Sequence, residues 1–139
     1  MELAIDTSTR YASVALSRQG ELLWEVSWRS EQNHTVELAP AVQLVLERCR
    51  AKASDLKAVV VAIGPGGFSA LRVGLALAKG MAEALGIPIV GVGTLEVEAF
   101  PYRGMGSAVW PALPLGHREV AWAVFQNRNG LWQKTQAER

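Results

Sequence analysis

One cysteine, two histidines and a net charge of +1 are all that this 139-residue chain offers to the commonest reactive and electrostatic chemistries. Cys49 is alone, so no disulfide can form within the chain, and its helix-like neighbours mark it as a buried small apolar side chain. His34 and His117 have no metal-ligand partner three or four residues on. Leu38 stands where a second histidine would sit after His34, so both histidines read as surface or capping residues. No Ser-His-Asp or Cys-His set can be assembled, which leaves no catalytic candidate. No dense Lys or Arg run appears, so direct binding of nucleic acid is not indicated and any RNA connection would come through a partner. The longest apolar runs are too short to cross a bilayer. The start, Met1 to Asp6, is neither a basic stretch nor an apolar one, so no signal peptide is evident and the cytoplasm is the expected location, with no membrane partner. Gly-Lys-Ser/Thr is missing, which excludes Walker-type phosphate binding. Asp6 has no obvious second carboxylate, so no metal site is expected.

What is present is a folding composition. Half of the residues are hydrophobic and 19% are charged, enough for one domain, or one domain with a fragment of another, to bury a core. Leu3 to Ile5 reads as a short buried strand. Ala12 to Ser17 and Leu22 to Ser30 read as two more, joined by the tight turn Arg18 to Glu21. Trp24, Val26 and Trp28 share one face of the third strand. Leu38, Val42, Val45 and Cys49 mark one face of a helix, which is expected to begin near Glu37 with Pro40 in its first turn and Thr35 as a possible cap. Ala58 to Ile63 is a continuous β-branched run of the kind found in a parallel sheet. A helix follows and stops at Gly86 and Pro88. Ile87 to Val92 reads as another buried strand. Thr94 caps a short helix through Phe100. After Pro101 the chain reads as irregular until Val109. Glu119 to Phe125 alternates, with Val120, Trp122 and Val124 on one face. Asn129-Gly130 is a turn into a return strand, and the polar C-terminal residues are expected to fray. A meander followed by β-α-β units predicts a mixed α/β sheet, with right-handed crossovers setting the two later strands parallel to the first.

The most informative segment is Gly64-Pro65-Gly66-Gly67-Phe68-Ser69-Ala70-Leu71-Arg72. A strand that ends in glycines and enters a helix at once can present backbone N–H groups to an anion. It can equally be a sharp turn that brings helix and strand close together. Asp6, Thr7 and Thr9, at the end of the first strand, have the same two readings. With Gly66 and Gly67 they are candidate phosphate ligands; without a ligand they form a local Asx or Ser/Thr turn. Along the helix, Ala70, Gly74, Ala78 and Ala82 recur every fourth residue and form a ridge of small side chains. Glycine inside a helix costs about 1 kcal/mol relative to alanine, so a close neighbour is needed to offset it. That neighbour is either inside the chain or on another subunit.

Leu3 to Thr9, Gly64 to Ala76, Ala84-Leu85-Gly86-Ile87-Pro88 and Val92-Gly93-Thr94-Leu95-Glu96 occur in order, and together they resemble the bacterial TsaB (YeaZ) family over residues 2–100, and loosely over 107–125. The resemblance implies an actin-like, ribonuclease-H-like fold, with a first lobe over 1–104 and the start of an incomplete second lobe, a β-hairpin, over 105–139. It implies a role in making N6-threonylcarbamoyladenosine at position 37 of tRNA as a non-catalytic subunit without a cofactor. The implied partners are a TsaD-like catalytic subunit and a TsaE-like ATPase, or a second copy in a homodimer, with tRNA met only indirectly. Carried over, the partner surface falls on the helices near 37–50 and 69–85, with Leu38, Val42, Val45, Ala70, Gly74, Ala78 and Ala82 as its residues. The alternative is a nucleotide-binding or phosphoryl-transfer module of the same fold. Three departures stand out. Gly67, Ser69 and Ala70 replace the family's Ser, Thr and Gly. Leu115 to Val120 lacks the acid of an Asp-Ala-Arg-like turn. The second lobe is short, so the chain is expected to be shortened, degenerate or completed by another subunit.

Overall fold

The computed structural model describes residues 1–31 and 33–138. The chain begins with an antiparallel meander of β1 (Glu2–Asp6), β2 (Tyr11–Arg18) and β3 (Glu21–Arg29). The helix α1 (His34–Arg48) then leads to β4 (Ala58–Ala62), α2 (Phe68–Leu85) and β5 (Ile89–Val92). These strands make one mixed sheet in the order β3-β2-β1-β4-β5. β4 runs parallel to β1, pairing Leu3 with Val59 and Ile5 with Val61, and β5 runs parallel to β4, as the crossover rule requires. After the six-residue helix α3 (Thr94–Ala99) come β6 (Ala112–Gly116), β7 (Glu119–Arg128) and β8 (Leu131–Glu138), a second, antiparallel sheet in that order.

The first core follows from the period-two and period-3.6 patterns meeting on one face. Leu3, Ile5, Val14, Leu16, Val59 and Val61 from the sheet pack with Leu38, Val42 and Val45 of α1 and with Ala78 and Ala82 of α2. Both long helices therefore cover the same side of the first sheet. A second cluster joins Leu95 and Ala99 of α3 to Ala121, Ala123 and Phe125 of β7. No helix among the described residues is long and apolar enough to cross a membrane.

Several expectations need correction. α1 begins at His34, three residues before Glu37, with Asn33 as its N-cap, so Pro40 lies inside the helix and Thr35 caps nothing. The carbonyl that Pro40 cannot pair belongs to Val36, which is 74% exposed, so water can satisfy it. β5 is an edge strand and not a buried one: Ile89 and Val90 are 40% and 48% exposed. An apolar run alone does not distinguish the last strand of a sheet from a central one. Gly93, not Thr94, occupies the N-cap of α3. On β7 the inward face is Ala121, Ala123 and Phe125, while Val120 is 47% exposed. The small alanines let α3 approach, and an irregularity in the pairing at Val124/Phe125 buries Val124 as well. The expected hairpin after residue 105 has a third strand, β6, paired to β7 from Ala112 to Gly116. The C-terminal strand stays paired as far as Glu138 opposite Trp122, so the expected fraying does not occur there. Cys49 is only half-buried.

Candidate functional site

The two sequence motifs that stood apart, residues 6–9 and 64–74, form one structural unit. Asp6 ends β1, and its carboxylate accepts the Ser8 backbone N–H at 2.8 Å and the Ser8 hydroxyl at 2.5 Å. That is an Asx turn, and it commits one carboxylate oxygen to local geometry. Thr7 is 1% exposed, and its hydroxyl donates to the Ala70 carbonyl in the first turn of α2 at 2.6 Å. Thr9 donates its hydroxyl to the Tyr11 carbonyl at 3.0 Å and accepts the Tyr11 N–H at 3.2 Å. The Gly67 N–H donates to the Ser8 carbonyl at 3.2 Å. A Cβ at position 66 would collide with the Ser8 backbone, and one at position 74 with the Thr7 side chain. Both glycines are therefore set by close approach of the β1–β2 loop.

This geometry reassigns the candidate phosphate ligands. The Thr7 hydroxyl is consumed in the fold, Asp6 and Thr9 serve local turns, and Gly66 and Gly67 seat the loop against α2. The small-residue ridge is reassigned too. Gly74, Ala78 and Ala82 are buried in α2, Ala70 is half-buried, and the close neighbour of Gly74 is Thr7 of the same chain. Leu38, Val42 and Val45 are 1%, 5% and 0% exposed and are spent on the sheet. Six of the seven, all but Ala70, are buried within the fold and so offer little surface for contact with another subunit.

The outer faces of the same helices are different. Val36, Pro40 and Leu44 recur every fourth residue of α1 and are exposed, as are Ala76, Gly80 and Ala84 of α2. A Cβ at Gly80 would meet nothing within 4 Å. Nothing inside the described chain calls for a glycine there, although glycine in a helix costs about 1 kcal/mol relative to alanine.

At the end of α1 where the chain enters it, Glu37 accepts hydrogen bonds from the Trp28 indole at 2.6 Å and the Ser30 hydroxyl at 2.9 Å. The Ser30 N–H donates to the Arg10 carbonyl at 2.8 Å. These bonds fix one side of a cavity of about 780 Å³ lined in part by Arg10, Tyr11, Arg29 and His34. Sequence reading placed His34 at the surface; it is 8% exposed. It did not single out the two arginines, because residues 10 and 29 are brought together only by the β2–β3 pairing. His117 is exposed in the β6–β7 turn, as expected. Among the described residues, no group of three or more His, Cys, Asp or Glu side chains comes together as a metal site.

Comparison with known proteins agrees with this fold. A family model described as "TsaD: tRNA N6-adenosine threonylcarbamoyltransferase" matches residues 28–138. The tRNA threonylcarbamoyladenosine biosynthesis protein TsaB of Bacillus subtilis (strain 168) is 36% identical over 132 residues, which cover 95% of this chain and 58% of that protein. The protein of the same name from Escherichia coli (strain K12) is 34% identical over 139 residues, covering 98% of this chain and 60% of its own length. The solved structure of YeaZ from Pseudomonas aeruginosa superposes with a TM-score of 0.89 at 29% identity, covering 99% of this chain and 65% of that one. The chain thus spans about three fifths of the length of these curated relatives. Its mixed sheet is that of an actin-like fold, and the chain belongs to the TsaB (YeaZ) family.

Proposed function

We propose that the chain serves in the biosynthesis of N6-threonylcarbamoyladenosine in tRNA as a non-catalytic subunit, and that it works by presenting the outer faces of α1 and α2 to a TsaD-like catalytic subunit. The observation that carries the interface is Gly80. It sits in the middle of a helix, exposed, with open space where its side chain would be, and Ala76 and Ala84 extend the same small-residue stripe. A partner helix that approaches its backbone closely would offset the cost of that glycine. Val36, Pro40 and Leu44 supply apolar area on the neighbouring helix. Family membership supports the pathway, since the curated relatives carry it in their names. The reading places the protein in the cytoplasm, where tRNA is modified, and gives it a TsaE-like ATPase as a further partner. It divides the chain into a first lobe over 1–104 and the start of a second over 105–139.

The test is co-purification of the chain with a TsaD-like subunit, followed by a tRNA-modification assay. Gly80→Arg, which projects a long cation from the stripe, is expected to abolish association and leave the isolated chain folded. Undiminished association of the variant would overturn the reading. A homodimer through the same stripe is the competing form, and sedimentation of the chain alone separates the two. Phosphoryl transfer at Asp6, Thr7 and Thr9 is the weaker reading, because those side chains already serve the β1–β2 loop.

A further inference from the structure

The two long helices end in the same turn, one with glycine and one with arginine at its left-handed position. After α2, the Gly86 N–H donates to the Glu83 carbonyl at 3.3 Å and the Ile87 N–H to the Ala82 carbonyl at 3.0 Å. After α1, the Arg50 N–H donates to the Glu47 carbonyl at 3.0 Å and the Ala51 N–H to the Leu46 carbonyl at 2.9 Å. The φ of Gly86 is 63° and that of Arg50 is 51°. Glycine is the usual occupant of this position, because a Cβ is crowded there. The other non-glycine residues with positive φ among the described residues, Gln19, His117, Arg118 and Asn129, lie in the two-residue turns of hairpins, where that conformation is the preferred one. The helix dipole does not call for Arg50 either, since Arg48 already places a cation in the last turn of α1. Strain of this kind gathers at sites that clamp a ligand.

Arg50 lines a cavity of about 490 Å³ together with Arg18, the last residue of β2, and Lys57, which precedes β4. The cavity lies where β1 and β4 begin, at the opposite end of the first sheet from the β1–β2 loop. Two acids also line it, Glu2 and Asp55. Glu2 accepts the Ser17 hydroxyl at 2.8 Å and Asp55 accepts the Lys52 N–H at 2.8 Å, so both carboxylates are tied to the fold. The three cations, from three separate elements, are exposed. Arg48 and Lys52 are exposed on either side of Arg50, and residues 48–57 carry four cations against one acid. An open run of cations that continues past the cavity suits a polyanion better than a small enclosed ligand. We propose that this end of the first sheet docks the phosphate backbone of an RNA, with Arg18, Arg50 and Lys57 each meeting phosphate oxygens. The inference rests on the chain's proposed place in tRNA modification. It adds a direct contact with tRNA where the sequence, its cations dispersed, indicated only an indirect one.

Fluorescence anisotropy of an unmodified tRNA transcript, titrated with the chain at several salt concentrations, tests the proposal. Saturable binding that weakens as salt rises is expected. Arg50→Gly relieves the backbone strain, so its thermal midpoint should be no lower than wild type's. Its affinity for the transcript should nevertheless fall, by about threefold to tenfold, and its salt slope should shrink by about 1. Affinity that falls without a loss of stability separates a ligand role from a structural one. Arg50→Lys keeps the charge and should retain most of the affinity. The triple variant Arg18→Ala/Arg50→Gly/Lys57→Ala should lose saturable binding. A wild-type chain that does not bind the transcript overturns the proposal, even if it binds inorganic phosphate, and so does binding that the triple variant leaves unchanged. Assembly with a TsaD-like subunit is scored in a separate sedimentation run. A chain that assembles there but binds no transcript overturns the RNA contact alone and leaves the proposed interface standing.

Discussion

At position 74 the side chain is a single hydrogen because Thr7 occupies the space that a methyl group would need. Thr7 cannot easily move aside, since its hydroxyl is bonded to the Ala70 carbonyl at 2.6 Å. Gly74→Ala is accordingly expected to lower stability by about 1–3 kcal/mol, the usual penalty of overpacking, despite alanine's better helix propensity. Chemical denaturation measures it. Thr7→Val keeps the shape and loses the hydrogen bond, so its loss should be smaller, about 1 kcal/mol. The small-residue spacing was legible in the sequence, and so was the need for a close neighbour. The neighbour's identity was not, because Thr7 and Gly74 lie 67 positions apart and meet only once β1 and α2 pack. Gly80, in the same helix, shows the opposite case, with no atom nearby to explain it.

Among the elements, the central strands were readable because burial on both sides leaves a continuous apolar run, as in β4. β5 carries the same composition at an edge, and there the pattern misled. Val90→Lys should therefore change stability by no more than about 0.5 kcal/mol, as for an exposed site, whereas a buried strand would not tolerate the charge. Pro40 offers a second check. Because it lies within α1 and faces solvent, Pro40→Ala should raise stability, by up to about 3 kcal/mol, with a matching rise in the thermal midpoint. β6 went unread because Ala112 to Gly116 is short and contains a proline, and its pairing depends on β7. The inward face of β7 was hidden by its alanines, which show little hydrophobic signal but admit α3.

In the whole molecule, α3 follows β5 of the first sheet and packs against β7 of the second, and the long helices α1 and α2 share one face of the larger sheet. The actin-like fold was legible because the β-β-β-α-β-α-β order and the crossover rule leave few arrangements. The proposed interface was legible only as a pair of helices. Residues that a periodicity argument selects are those that pack inward, and the outward stripe becomes visible only by subtraction. The central claim is that this outward stripe joins the chain to a TsaD-like subunit. Sedimentation of the chain with that subunit, wild type beside Gly80→Arg, tests it most directly. A heteromeric complex is expected for wild type and separate species for the variant, whose thermal midpoint should be no lower than wild type's, since arginine is the better helix former. A variant that still assembles fully, or a wild-type chain that does not assemble at all, would contradict it.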